Sequence, residues 1–109
     1  MARNRTILVV DDSEVTRAVL TSRLEARGAS VVCASTVADA LAVDAAGLTA
    51  AIVDVELGAD SGVTLADVLA GRNPGLRLAL FTAQHAAHER RTFKKPDDID
   101  DVVAWALER

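Results

Sequence analysis

The chain is 109 residues long, which suits one domain and leaves little room for a second. Half of the residues are hydrophobic, but Phe81, Phe93 and Trp105 are the only aromatics, so a core has to be built from Ala, Val, Leu and Ile. A net charge of −4 argues against a general nucleic-acid-binding face, the single Cys33 excludes an internal disulfide or paired-cysteine metal site, and no apolar run approaches the roughly 20 residues of a membrane span.

In chain order, the basic start Met1–Arg5 leads into Thr6–Val10, a β-branched run that reads as a buried strand. Its apolar part is too short for a secretory signal, whose core takes about 7–15 residues. With one cysteine, the expectation is a soluble, cytoplasmic protein. Ser13 can cap a helix carrying Val15, Val19, Leu20 and Leu24 and ending at Gly28. Val31–Ala34 is a second strand. Thr36 starts a helix, with Asp39 placed to reach back to its start, that ends near Gly47. Ala50–Val53 is a third strand. Val63–Ala70 is helical and is closed by Gly71 and the turn Asn73-Pro74-Gly75. Leu76–Phe81 is a fourth strand, and a fifth falls at Thr92–Lys95. Pro96-Asp97 opens a last helix with Ile99, Val102, Val103, Ala106 and Leu107 on one face. Strands alternating with helices imply an α/β fold, a parallel sheet covered on both sides, with its site outside the carboxyl ends of the strands.

The polar groups come directly after the strands. Asp11 and Asp12 come after the first, Asp54 after the third, Thr82 after the fourth, and Lys95 after the short run Thr92–Lys94. In a parallel sheet they converge on one edge. Three crowded carboxylates need a counter-charge, and a few acidic ligands with retained waters suit Mg²⁺. Asp54 is then a candidate carboxylate nucleophile toward phosphorus, with Lys95 stabilising the transferred group's charge and the Thr82 hydroxyl bonding one of its oxygens.

The series Asp11-Asp12-Ser13, Asp54 eight residues before Gly62, Thr82-Ala83 and Lys95-Pro96 resembles the receiver domains of bacterial response regulators over essentially the whole chain. The resemblance implies a flavodoxin-like, doubly wound, five-stranded parallel sheet forming one domain over 1–109. It implies Asp54 as phosphoacceptor, and Asp11, Asp12, Asp54 and the Glu56 carbonyl as the Mg²⁺ ligands. It makes Thr82 the switch hydroxyl, Lys95 the phosphoryl contact and Lys95-Pro96 a cis bond. The donor would be a sensor histidine kinase or histidine phosphotransfer protein, and output would run through an unknown downstream protein, with no direct nucleic-acid or membrane contact. The chain would not be an enzyme beyond its own phosphorylation and dephosphorylation.

Two departures stand out. Leu57-Gly58 replace the family's usual Met-Pro, and Glu56 adds a carboxylate two residues past the acceptor. Only 12 residues separate Thr82 from Lys95, so the fourth helix is expected to be reduced or absent, and Thr92 falls where the family has its switch aromatic. His85 and His88 in this stretch read as a solvated loop. Cys33 reads as a small core residue, and Trp105 as a core residue on the last helix. Two rival functions stay open. One is a receiver-like adaptor that is never phosphorylated. The other is a Mg²⁺-dependent phosphohydrolase using Asp54 as nucleophile and Glu56 as acid–base.

Overall fold

The computed structural model describes residues 5–83 and 90–108. Five parallel strands form the central sheet: β1 (Thr6–Val10), β2 (Ser30–Ala34), β3 (Ala50–Val53), β6 (Arg77–Thr82) and β7 (Arg91–Lys94). Their order is β2-β1-β3-β6-β7, all neighbours parallel. The chain direction across the sheet reverses between β1 and β3, which is the switch point where α/β sheets of this kind bind ligands.

The apolar strands are buried on both faces. Leu8, Val10, Ala51, Val53, Leu78 and Leu80 point to the side covered by α2 (Val37–Leu41) and α3 (Gly62–Arg72). Ile7, Val9, Ala50, Ile52, Ala79, Phe81 and Phe93 point to the side covered by α1 (Glu14–Ala26) and α4 (Ile99–Ala106). Two-sided burial is why these strands read as continuous runs and not as alternating ones. Trp105 is buried against Phe93, and the Arg77 guanidinium lies 4.6 Å from the Trp105 ring centre.

Eight residues, 83–90, join β6 to β7. A parallel crossover with its helix ordinarily takes at least about 10–12. The expected loss or reduction of a helix here agrees with that length, and residues 84–89, where it would lie along with His85 and His88, fall outside the described residues. The burial of β7 is one-sided. Its apolar residue, Phe93, faces α1 and α4, while Thr92 and Lys94 on the opposite face are half-buried and exposed. That face presents no apolar surface for a helix to cover.

Several expected boundaries move. The helix after Thr36 stops at Leu41, because Asp44 accepts from Ala46 N–H and starts a separate 3₁₀ turn at Ala45–Gly47. Helix α3 runs through Gly71 to Arg72 and ends at Asn73, which has the extended backbone that a proline imposes on the residue before it. Helix α4 begins at Ile99 and not at Pro96, because Asp98 and Lys94 exchange hydrogen bonds in the intervening turn. The fifth strand is Arg91–Lys94, which leaves Lys95 just past its end. A two-residue hairpin, β4 (Glu56–Leu57) with β5 (Asp60–Ser61), was not anticipated; it turns at Gly58, whose φ of 64° suits glycine. Val15 lies on the open side of α1 at 72 % exposure, off the buried stripe. Cys33 is exposed and not core: it sits on the edge strand β2, 3.2 Å from the Thr21 hydroxyl.

Candidate functional site

Each strand delivers its polar residue to one edge of the sheet. Asp11, one residue past β1, is 2 % exposed, and Asp54, one residue past β3, is 6 % exposed. Their backbones are tied to the neighbouring strands, Asp11 N–H to Ala34 O and Asp54 N–H to Val10 O. Thr82 closes β6 and is buried, and its carbonyl accepts from Lys95 N–H at 2.8 Å. The Lys95-Pro96 peptide is cis, as expected. Lys95 Nζ lies 2.5 Å from Asp11 Oδ2 and 3.1 Å from Asp54 Oδ2, so one ammonium bridges two buried carboxylates.

The remaining carboxylate oxygens meet backbone donors. Asp11 Oδ1 accepts from Ser13 N–H at 2.9 Å, and Asp54 Oδ1 accepts from Glu56 N–H at 3.2 Å. Ser13 also caps α1 by accepting from Thr16 N–H. Burial pushes the Asp54 carboxyl above its ordinary value; the Lys95 hydrogen bond works against this, and the charge of Asp11 adds to the rise. Burial acts to lower the Lys95 ammonium, but its bonds and charge interactions with Asp11 and Asp54 outweigh that and hold it above its ordinary value.

One oxygen from each of Asp11, Asp12 and Asp54 lies within 4.8 Å of the others. Oxygens at about 2.0–2.6 Å around a shared divalent cation span such separations, and the exposed Asp12 leaves one side open for retained waters. The donor set is all oxygen and anionic, and it crowds like charges that a cation relieves. These residues therefore fit Mg²⁺ or Ca²⁺. Glu56 N–H holds Asp54, while the Glu56 side chain is exposed and its carboxylate stands outside the acidic group.

Two contacts escaped the sequence reading. Arg17 Nη1 donates to the Asp11 carbonyl at 2.6 Å. Gly62, the first residue of α3, packs directly on the Asp54 backbone. The spacing of Gly62 from Asp54 was visible in the sequence, but its reason was not. Arg17 left only its place in the second turn of a helix that starts beside the acidic pair.

Comparison with known proteins shows the family. The family model of the response regulator receiver domain matches residues 7–104, and the chain belongs to that family. The acid tolerance regulatory protein ActR of Sinorhizobium medicae is 28 % identical over 116 residues, covering 97 % of this chain and 60 % of that protein. A response regulator from Burkholderia pseudomallei, solved with a phosphorylated aspartic acid, calcium ion and citrate, superposes with a TM-score of 0.79 at 27 % identity, covering 95 % of this chain and 66 % of that one. The response regulator TrrA of Thermotoga maritima, in complex with Mg²⁺ and beryllium fluoride, gives a TM-score of 0.68 at 25 % identity, covering 94 % of this chain and 80 % of that one. The chain thus spans less than two thirds of the first two proteins. Receiver domains are signalling modules of two-component systems. Among the described residues no helix is long and apolar enough to cross a membrane.

Proposed function

We propose that the chain, residues 1–109, is one receiver domain that accepts a phosphoryl group on Asp54 from the phosphohistidine of a sensor kinase or phosphotransfer protein. The observation that carries this reading is the Lys95 ammonium bridging the buried carboxylates of Asp11 and Asp54, with Asp12 beside them. A structural ion pair needs one carboxylate. Crowding three beside a single lysine costs stability unless another cation and a transferred anion use the site.

In transfer, an oxygen of the Asp54 carboxylate bonds to phosphorus as the donor's P–N bond breaks and the imidazole leaves. Asp11, Asp12, Asp54 and the Glu56 carbonyl would hold Mg²⁺, which when bound supplies positive charge for the phosphoryl oxygens. Glu56 N–H and Lys95 Nζ each already hold one Asp54 oxygen and so fix the carboxylate plane before the donor arrives. Lys95 then pairs with the anionic phosphoryl group, and the Thr82 hydroxyl, at the end of the adjoining strand, donates to one of its oxygens. The phosphorylated aspartate of the Burkholderia relative and the Mg²⁺ and beryllium fluoride of TrrA support this assignment by similarity. Output runs through protein contacts, and with Thr92 at the usual aromatic position it does not use an aromatic swing.

The test separates this reading from an adaptor that is never phosphorylated. Mg²⁺ with beryllium fluoride should raise the melting temperature of wild type and leave Asp12→Ala unmoved. Equal responses, or none in wild type, would favour the adaptor. Turnover of a generic phosphate monoester that is lost in Glu56→Gln would instead favour a phosphohydrolase.

A further inference from the structure

Asp11 has a partner for every polar group it carries. Its N–H donates to Ala34 O at 3.1 Å, Oδ1 accepts from Ser13 N–H at 2.9 Å, and Oδ2 meets Lys95 Nζ at 2.5 Å. Its carbonyl has left the sheet ladder and is held by a side chain, Arg17 Nη1, at 2.6 Å. Arg17 is the fourth residue of α1. Helical side chains lean toward the N-terminus, so a long one here reaches back over the first turn to the loop after β1.

The oxygen that Arg17 holds belongs to the peptide unit joining Asp11 to Asp12. A peptide is planar, so fixing this oxygen fixes the plane and the Cα of Asp12. Asp12 is exposed and lacks the packing that orients Asp11, so the direction of its carboxylate depends on its backbone. We propose that Arg17 is a positioning residue of the acidic site: through the Asp11 carbonyl it aims the Asp12 carboxylate toward the point shared with Asp11 and Asp54. The inference rests on reading those three aspartates as a Mg²⁺ site.

Charge and geometry make opposite predictions, which renders the idea testable. As a nearby positive charge, Arg17 would weaken cation binding, and its removal would tighten it. As a clamp on the loop it strengthens binding, and groups that orient metal ligands typically contribute about 10–100-fold in affinity. Mg²⁺ titration by calorimetry on wild type, Arg17→Met and Arg17→Lys decides between them. The expected result is affinity about tenfold weaker in Arg17→Met and partly restored in Arg17→Lys, which keeps a donor. Amide hydrogen exchange in the metal-free protein gives a readout independent of loading: the Ser13 amide should exchange faster in Arg17→Met while amides of β3 and β6 keep their protection. Unchanged or tighter Mg²⁺ binding in Arg17→Met, or unchanged Ser13 exchange, would overturn the inference and leave the metal-site reading intact. Wild type that binds no Mg²⁺ would remove the metal-site reading itself. If Arg17→Met does not fold, Arg17→Ala, which also removes the donor to the Asp11 carbonyl, takes its place with the same expected direction.

Discussion

A β-carbon added to Gly62 would lie 1.7 Å from the carbonyl oxygen of Asp54. That is far inside contact distance, and the obstacle is backbone, which cannot rotate away as a side chain would. Gly62 N–H also donates to Val55 O at 2.8 Å, so α3 is docked against the peptide units just past β3. Gly62→Ala should therefore destabilise the domain by about 1–3 kcal/mol, the usual range for overpacking, and displace Asp54 as well. Urea unfolding measures the first effect. The second is a loss of phosphorylation in the population that remains folded. An Ala variant with wild-type stability would show that the helix can slide without cost.

Neutralising Asp54 should stabilise the metal-free protein. Its carboxyl is raised in the fold, so the stabilising form is the protonated one: that contribution is complete below the unfolded value and is lost as pH rises through the folded value. Ionising Asp54 therefore works against the fold. Asp54→Asn should melt several degrees higher without Mg²⁺, where about 1 kcal/mol corresponds to roughly 4–8 °C in a domain of this size. With Mg²⁺ the gap should narrow or reverse. Differential scanning calorimetry of both proteins with and without the cation checks this.

Removing Lys95 should do the opposite. Its side chain is 16 % exposed, and its partners Asp11 and Asp54 are 3 % and 8 % exposed. Lys95→Met leaves two buried carboxylates without their ammonium, and breaking a buried pair in this way costs about 3–5 kcal/mol. The loss should shrink as pH falls and Asp54, whose carboxyl is raised in the fold, protonates. On the alkaline side, Lys95 is held above its ordinary value, so its contribution in wild type persists through neutral pH and disappears only as pH rises through the raised value. Melting temperature as a function of pH for both proteins gives the comparison.

Val15, 72 % exposed in the first turn of α1, borders an apolar crevice with Val19, Phe81, Pro96 and Ile99 beside Lys95. A protein donor docking over this rim would reach Asp54 across Val15, whereas a small phosphodonor would bypass it. Val15→Lys should slow transfer from the kinase or phosphotransfer protein about tenfold, the size expected for one central contact in an interface. It should leave phosphorylation by a small donor unchanged. An equal fall with both donors would place the defect in the site itself.

The parts of this molecule that were legible in sequence share a cause. Ala50–Val53 and Thr6–Val10 are buried on both faces, so their strands stand out as unbroken apolar runs, and the polar residue at the end of each run must lie at the sheet edge. This is why Asp11, Asp54 and Lys95 were found together. The shortened β6–β7 crossover emerged from counting residues. The features that stayed hidden depend on three-dimensional reach or on single-residue geometry. The Glu56–Ser61 hairpin has only two paired positions and no pattern to announce it. The Arg17 contact depends on how far a side chain leans back along its helix. Cys33 is apolar enough for a core, but its place on an edge strand leaves it exposed.

Intact mass after incubation with Mg²⁺ and a small-molecule phosphodonor, for wild type and Asp54→Asn, tests whether Asp54 accepts the phosphoryl group. Wild type should gain one phosphoryl group and the variant none. An adduct of equal yield on both proteins, or none on wild type even with a cognate kinase, would contradict that assignment.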